Sequence, residues 1–129
     1  MEVLSIKGTQ ETPEVLLNKQ TGIFSISGKS LPEDVKEFYN PVIKWIESYS
    51  SEPNPETKLT IKMDYFNTAS SKMLLEIFEL FKNLHEKGSS VIIDWYYLED
   101  DEDMQDAGAD YADIVELPFN FISYQPVPK

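Results

Sequence analysis

The chain has 129 residues, 41% of them hydrophobic, and a formal net charge of −12, which suits one domain with its own core and argues against disorder. It has no cysteine, no apolar run long enough to span a bilayer and no signal-peptide pattern at its start, so disulfides and thiolate metal sites are excluded and a cytoplasmic protein is expected. All eleven basic residues are lysine; bidentate arginine clamps on phosphate are absent, and the acidity disfavours nucleic acid and anionic membranes as partners.

In chain order, Glu14–Lys19 and Gly22–Ser27 read as strands joined by a tight turn at Gln20-Thr21-Gly22, with Phe24 and Ile26 alternating with Ser25 and Ser27. Ser30-Leu31-Pro32-Glu33 has the form of a capping box with proline in the first turn. The helix it introduces places Val35, Phe38, Tyr39, Val42, Trp45, Ile46 and Tyr49 on one stripe. Pro41 is expected to kink that helix or break it after Asn40. Residues 50–56, with two prolines, form a connecting loop.

Leu59–Phe66 alternates as a strand, and a second helix from about Ser70 to Lys87 sets Leu74, Ile77, Phe78, Phe81 and Leu84 at core spacing. Lys87-Gly88 closes it as a C-cap. Ser90–Leu98 is another strand. Its consecutive Trp95, Tyr96 and Tyr97 cannot share a face, so at least one aromatic points outward. An acidic loop then leads to a short helix over Met104–Val115, weakened by Gly108, and a last strand over Phe119–Tyr124 before a proline-rich end. The expected fold is α/β, a single-domain mixed β-sheet flanked by helices.

The strand–helix–strand unit from Leu59 to Leu98 suits a right-handed parallel crossover. Both strands then end on the same side of the sheet, which makes the Asn67–Lys72 turn and the Glu99–Asp106 loop neighbours, where α/β sheets tend to carry their sites. Thr68, Ser70 and Ser71 sit where a helix begins and its N–H groups lack partners. Two readings follow. Asn67 or Thr68 is simply an N-cap, or a hydroxyl here accepts a phosphate, which the positive end of the helix dipole would favour.

The acids are concentrated too: nine lie between Glu99 and Glu116, where there is no lysine. An EF-hand register fails, because starting at Asp101 puts Asp106 where glycine belongs, and starting at Asp103 ends on Ile114. A weak divalent-ion site, a solvated loop or a partner-binding edge all fit this composition. His85, the only histidine, lies near the end of the second helix, where a cation supports the dipole. It is about 20 Å of helix away from the hydroxyls, too far for a relay. Asp64 and Asp94 could work as an acid–base pair, as in a carboxylate-dependent metallohydrolase, only if both face one pocket.

These residues also carry a resemblance. Gly22-Ile-Phe-Ser-Ile-Ser-Gly-Lys-Ser30 with Pro32-Glu33, then Phe38-Tyr39 with Pro41, Trp45 and Tyr49, then Tyr65-Phe-Asn-Thr-Ala-Ser-Ser-Lys72, then Trp95-Tyr-Tyr, the Asp-rich loop, Asp106-Ala-Gly108 and Leu117-Pro-Phe119 together resemble the SiaC family of bacterial regulatory phosphoproteins. Ala69 departs from the family, which often has a second small hydroxyl residue there. The resemblance implies a fold like the STAS domains of anti-sigma-factor antagonists and a non-enzymatic partner-switching protein without a cofactor. It implies that Thr68 is phosphorylated by a dedicated kinase and dephosphorylated by a PP2C-type phosphatase. It further implies that the unmodified form activates a diguanylate cyclase in cyclic-di-GMP and biofilm signalling. The switch surface would comprise Asp64, Tyr65, Phe66, Asn67, Ser70, Ser71 and Lys72, and the partner-binding edge Glu99, Asp100, Asp101, Glu102, Asp103 and Asp106. Anti-sigma-factor antagonism in transcription is the alternative within the same fold.

Overall fold

The structure is a computed structural model describing residues 1–126; the last of the proline-rich end, residues 127–129, lies outside the described residues. The elements are β1 (Leu4–Ile6), β2 (Glu14–Asn18), β3 (Ile23–Ser30), α1 (Val35–Tyr49), β4 (Glu56–Phe66), α2 (Thr68–Glu86), β5 (Ser90–Leu98), α3 (Glu102–Val115) and β6 (Phe119–Tyr124). The six strands lie side by side in chain order. The first two pairings are antiparallel, and β3–β4, β4–β5 and β5–β6 are parallel. This is the mixed α/β sheet flanked by helices that the sequence led us to expect.

Alternation places the core. In β4, Thr57, Leu59, Ile61 and Met63 are buried, whereas Lys58, Lys62 and Asp64 between them are exposed. In register, Phe24, Leu59 and Ile93 form one buried row and Ile26, Ile61 and Trp95 the next. All three helices pack on that face. From α1, Trp45 and Tyr49 place their rings 5.9 and 5.2 Å from Phe24. From α2 and α3, Phe78 and Tyr111 lie 6.4 and 5.6 Å from Trp95. Trp95 is thus under the helices, while Tyr96 lies on the outer face with Tyr124, as the run of three aromatics requires.

Several local expectations are corrected. β1, which the sequence reading did not include, has three residues, too few to show an alternating pattern. The N-cap of α1 is Asp34, whose carboxylate accepts the N–H of Glu37; Ser30, expected to begin a capping box, is instead the buried last residue of β3. Pro41 does not end the helix, which runs through it to Tyr49. Core residues on both sides of the proline, Tyr39 before it and Val42, Trp45 and Ile46 after it, hold both halves on the sheet, and that burial outweighs one missing hydrogen bond. α2 starts at Thr68 rather than Ser70. α3 starts at Glu102 rather than Met104, with Asp101 as its N-cap, so residues 102–106 of the expected Glu99–Asp106 loop are helical.

Gly108 is more than a weak helix residue. A Cβ there would stand 2.6 Å from the Trp95 ring, closer than any real contact, so the glycine lets α3 lie against the indole. Trp95 Nε1 donates to the Met104 carbonyl at 3.0 Å in the same contact. Gly108→Ala should therefore destabilise the protein by about 1–3 kcal/mol through overpacking, despite alanine's better helix propensity. A lowered urea midpoint would show it; an unchanged or raised midpoint would mean that α3 can shift freely on the sheet.

Candidate functional site: the first turn of α2 and the acidic start of α3

The turn from β4 into α2 is built by hydrogen bonds that assign each polar residue a separate task. Asn67 is extended, at φ −82° and ψ 175°, and its Oδ1 accepts the Ser70 N–H at 2.8 Å. It is the N-cap. Its own N–H donates to the Ser30 carbonyl at 3.0 Å, which ties the turn to the end of β3. Thr68 follows as the first helical residue, exposed, and among the described residues its hydroxyl has no hydrogen-bond partner.

Ser70 is fully buried. Its Oγ donates to the Ser30 carbonyl at 2.9 Å and accepts from Ser30 Oγ at 2.8 Å. Ser30 has a single hydroxyl proton, so Tyr39 is the donor in the 2.6 Å contact between its hydroxyl and Ser30 Oγ. Ser70, expected among the accessible switch residues, is therefore a structural hydroxyl joining β3, α1 and α2. Ser71 is half-buried, and its Oγ donates to the Thr68 carbonyl at 2.7 Å. Its carbonyl accepts the Tyr111 hydroxyl of α3 at 2.8 Å. The first turn of α2 is thus held from one side by Tyr39 and from the other by Tyr111. Lys72 is exposed, one turn beyond Thr68.

The other half of the site is the start of α3. Asp101 Oδ1 accepts the Met104 N–H at 3.0 Å, and Glu102 and Asp103 lie in the first turn, where the helix dipole favours negative charge. A cavity of about 330 Å³ opens between Asp64, Tyr65 and Phe66 at the end of β4 and Asp101, Asp103, Met104 and Ala107 of α3. A second, more open hollow of about 420 Å³ is bounded by Leu98, Asp100, Asp101, Glu102 and Asp103. The last residues of β4 and the start of α3 thus share one cavity, whereas none of residues 67–72, the turn expected beside the acids, lines it. Glu99 accepts from Gln125 at 3.3 Å, and Asp106 is exposed on α3 away from both openings.

The acids at this end are outside the ion pairs of the structure. The two ion pairs among the described residues, Lys58–Asp94 at 3.9 Å and Lys82–Glu116 at 3.8 Å, involve none of the acids around these openings. Burial first, and then the carboxylates of Asp64 and Asp101, hold the Tyr124 phenol above its ordinary value. Lys62 stands 4.5 Å over the Tyr124 ring.

Asp64 and Asp94 do not form a pair. Asp94 is opposite Thr60 in register, so Asp64 lies four residues further along, about 13 Å away at strand rise. Asp94 instead accepts from Asn120 at 3.0 Å and faces Lys58. Among the described residues no group of three or more His, Cys, Asp or Glu side chains converges as metal ligands. His85 is exposed in the last turn of α2, at the opposite end from Thr68.

The comparisons with known proteins bear on this geometry. Residues 6–124 match the family model described as SiaC family regulatory phosphoprotein. The chain belongs to the SiaC family. A curated relative in Pseudomonas aeruginosa, an uncharacterised protein, is 30% identical over 119 residues, covering 92% of this chain and 94% of its own length. The crystal structure of apo-SiaC from Pseudomonas aeruginosa superposes with a TM-score of 0.87 at 29% identity, covering 95% of this chain and 100% of that one. The SiaC structure described as the activator of diguanylate cyclase SiaD, solved in complex with that cyclase, gives 0.88 at 29% identity over 94% of this chain and 99% of that one. The resemblance read from the sequence thus extends to the whole fold of SiaC.

The two tyrosines that hold the α2 turn give a test. Burial raises the pKa of Tyr39 and of Tyr111 above the ordinary tyrosine value. Unfolded tyrosine ionises near pH 10, so below that pH their contribution is fully present. It is lost as pH rises from about 10 towards the raised folded values, because only the unfolded state then releases protons. Urea midpoints should fall above about pH 10 in the wild type, and less steeply in a Tyr39→Phe, Tyr111→Phe double variant. Equal slopes in the two proteins would contradict this assignment.

Proposed function

We propose that this SiaC-family protein is a non-enzymatic phosphoswitch in which Thr68 is the modified residue. The observation that carries the reading is the division of labour at the α2 start. Asn67 does the capping, Ser70 is sealed inside, Ser71 is turned onto the helix backbone, and Thr68 alone offers an exposed, unengaged hydroxyl. The cap-only reading of the sequence is thus accounted for by Asn67, and it leaves Thr68 free for another role.

A phosphate on Thr68 adds about −1.5 to −2 charges and three acceptor oxygens at the positive end of α2. Lys72, four residues on, lies on the same helix face and can approach it. The phosphate would stand two residues from Phe66, which lines the cavity shared with Asp101 and Asp103. Added charge beside those carboxylates repels them, reshapes the opening and adds bulk at its rim. The unmodified surface, comprising Asp64, Tyr65 and Phe66 with the acids of 99–106, is the docking face in this reading. Its partner in this reading is a diguanylate cyclase, supported by the SiaC structure solved with SiaD, and its setting is then cyclic-di-GMP signalling. A kinase adds the phosphate and a PP2C-type phosphatase removes it.

Two measurements test this. Phosphopeptide mass spectrometry after kinase treatment of the folded protein should find phosphate on Thr68 and none on Ser70; modification of Ser70 would require the turn to open. Binding of the cyclase should be weakened at least about tenfold, about 1.4 kcal/mol, by Thr68→Asp and left near wild type by Thr68→Ala. An aspartate variant that binds as tightly as wild type would remove the charge mechanism.

A further inference from the structure

Thr68 stands outside the cavity of the docking face, since none of residues 67–72 lines it. The contacts around the α2 turn show where a change at Thr68 can go. On one side the turn is fastened to the sheet. The Asn67 N–H and the Ser70 hydroxyl both donate to the Ser30 carbonyl, and Phe66 pairs with Ser30 in register. On the other side, among the described residues, one side-chain hydrogen bond joins the turn to α3. There the Tyr111 hydroxyl donates to the Ser71 carbonyl at 2.8 Å, and Ser71 Oγ in turn donates to the Thr68 carbonyl at 2.7 Å. Tyr111 is 7% exposed, so breaking its bond would strand a buried hydroxyl. Its ring is confined as well, with its centroid 6.4, 5.0 and 5.6 Å from those of Phe66, Phe78 and Trp95. Met104, Ala107 and Tyr111 follow one another at helical spacing on one face of α3, and Phe66, Met104 and Ala107 all line the cavity.

We propose that Tyr111 is the positioning residue that couples Thr68 to the docking face, a role that rests on the phosphoswitch reading of Thr68. Its hydroxyl passes a displacement of the first turn of α2 on to α3. A phosphate on Thr68 draws Lys72 and the N–H groups of the first turn towards itself. The turn gives on its α3 side, because its other side is held by the end of β3. Tyr111 follows the Ser71 carbonyl, since neither the buried hydroxyl nor the packed ring has another place to go. α3 meets the Trp95 ring at Gly108, one turn before Tyr111, and that contact acts as a pivot. Movement at Tyr111 is thereby delivered to Asp101, Asp103 and Met104 on the far side of the pivot. Direct repulsion between the new charge and the acids needs no hydroxyl, which separates the two routes.

Amide chemical shifts of residues 101–107 read the coupling without any partner. Thr68→Asp should move them in the otherwise wild-type protein. In a Tyr111→Phe background, which keeps the ring and removes the hydroxyl, the same substitution should move them less than about half as far. Tyr39→Phe is the control. It removes the hydroxyl that donates to Ser30 Oγ on the sheet side of the turn, and it should leave the response intact. In binding to the cyclase, the loss of at least about tenfold expected for Thr68→Asp should shrink to under about threefold in the Tyr111→Phe background. The proposal is overturned by an equal response with and without the Tyr111 hydroxyl, by no response at residues 101–107, or by equal suppression in Tyr39→Phe. Shifts that depend on Tyr111, in a protein whose cyclase affinity ignores Thr68→Asp, would remove the phosphoswitch reading and leave the Tyr111 tie standing.

Discussion

Trp95 is the contact on which the arrangement of the site depends. It is fully buried, its indole N–H donates to the Met104 carbonyl, and its ring lies where a side chain on Gly108 would stand. Phe66, Phe78, Tyr111 and Phe119 surround it, with ring centroids 5.6 to 6.4 Å away. One aromatic on β5 thereby sets the height and rotation of α3 on the sheet. The rotation matters because it directs Tyr111 towards the α2 turn and sets Asp101 and Asp103 beside the end of β4. A looser contact would leave the acids and the hydroxyl turn as two unrelated surface features.

The second constraint is the economy of hydroxyls around Ser30. A buried hydroxyl without a partner costs about 1–3 kcal/mol, so Ser30, Tyr39 and Ser70 can be inside only as a set. Together they connect the end of β3, the first turns of α1 and the first turn of α2. Among the described residues no buried side-chain polar atom lacks a partner. The result is a turn whose inward groups are all committed, which makes Thr68 stand out as the one that is not. The acids at the start of α3 show similar double use. Asp101 caps the helix and Glu102 and Asp103 sit favourably at its dipole, so helix formation itself supports a concentration of charge that is unpaired on its outer side.

Much of this was legible in the residues themselves. Alternation placed Phe24, Ile26, Leu59 and Ile61 on the covered face, and period 3.6 picked out the buried stripes of α1 and α2, because burial on one side of an element repeats with its geometry. The parallel crossover also indicated which ends of β4 and β5 lie on the same side of the sheet, although the residues that share the cavity are 64–66 rather than the 67–72 turn. Less legible were the roles of single polar residues. Ser30 looked like a helix cap and is a strand-end hydroxyl under α1; Ser70 looked accessible and is buried. Local pattern cannot distinguish a serine capping its own helix from one bonded to a residue forty positions away. Pro41 misled for a related reason: its local cost is real, but the stripe around it is anchored by long-range contacts.

Sequence by itself determined the order of the elements after β1, the buried faces of the longer ones, the local acidity and the family to which the chain belongs. All of these depend on neighbours along the chain or on residue identity. Tertiary structure alone decided which of three adjacent hydroxyls is exposed, where α3 begins and why Gly108 must be glycine. Those outcomes depend on atoms from other elements arriving within about 3–4 Å, the range over which hydrogen bonds and van der Waals contacts act, and that proximity exists only once the sheet has assembled.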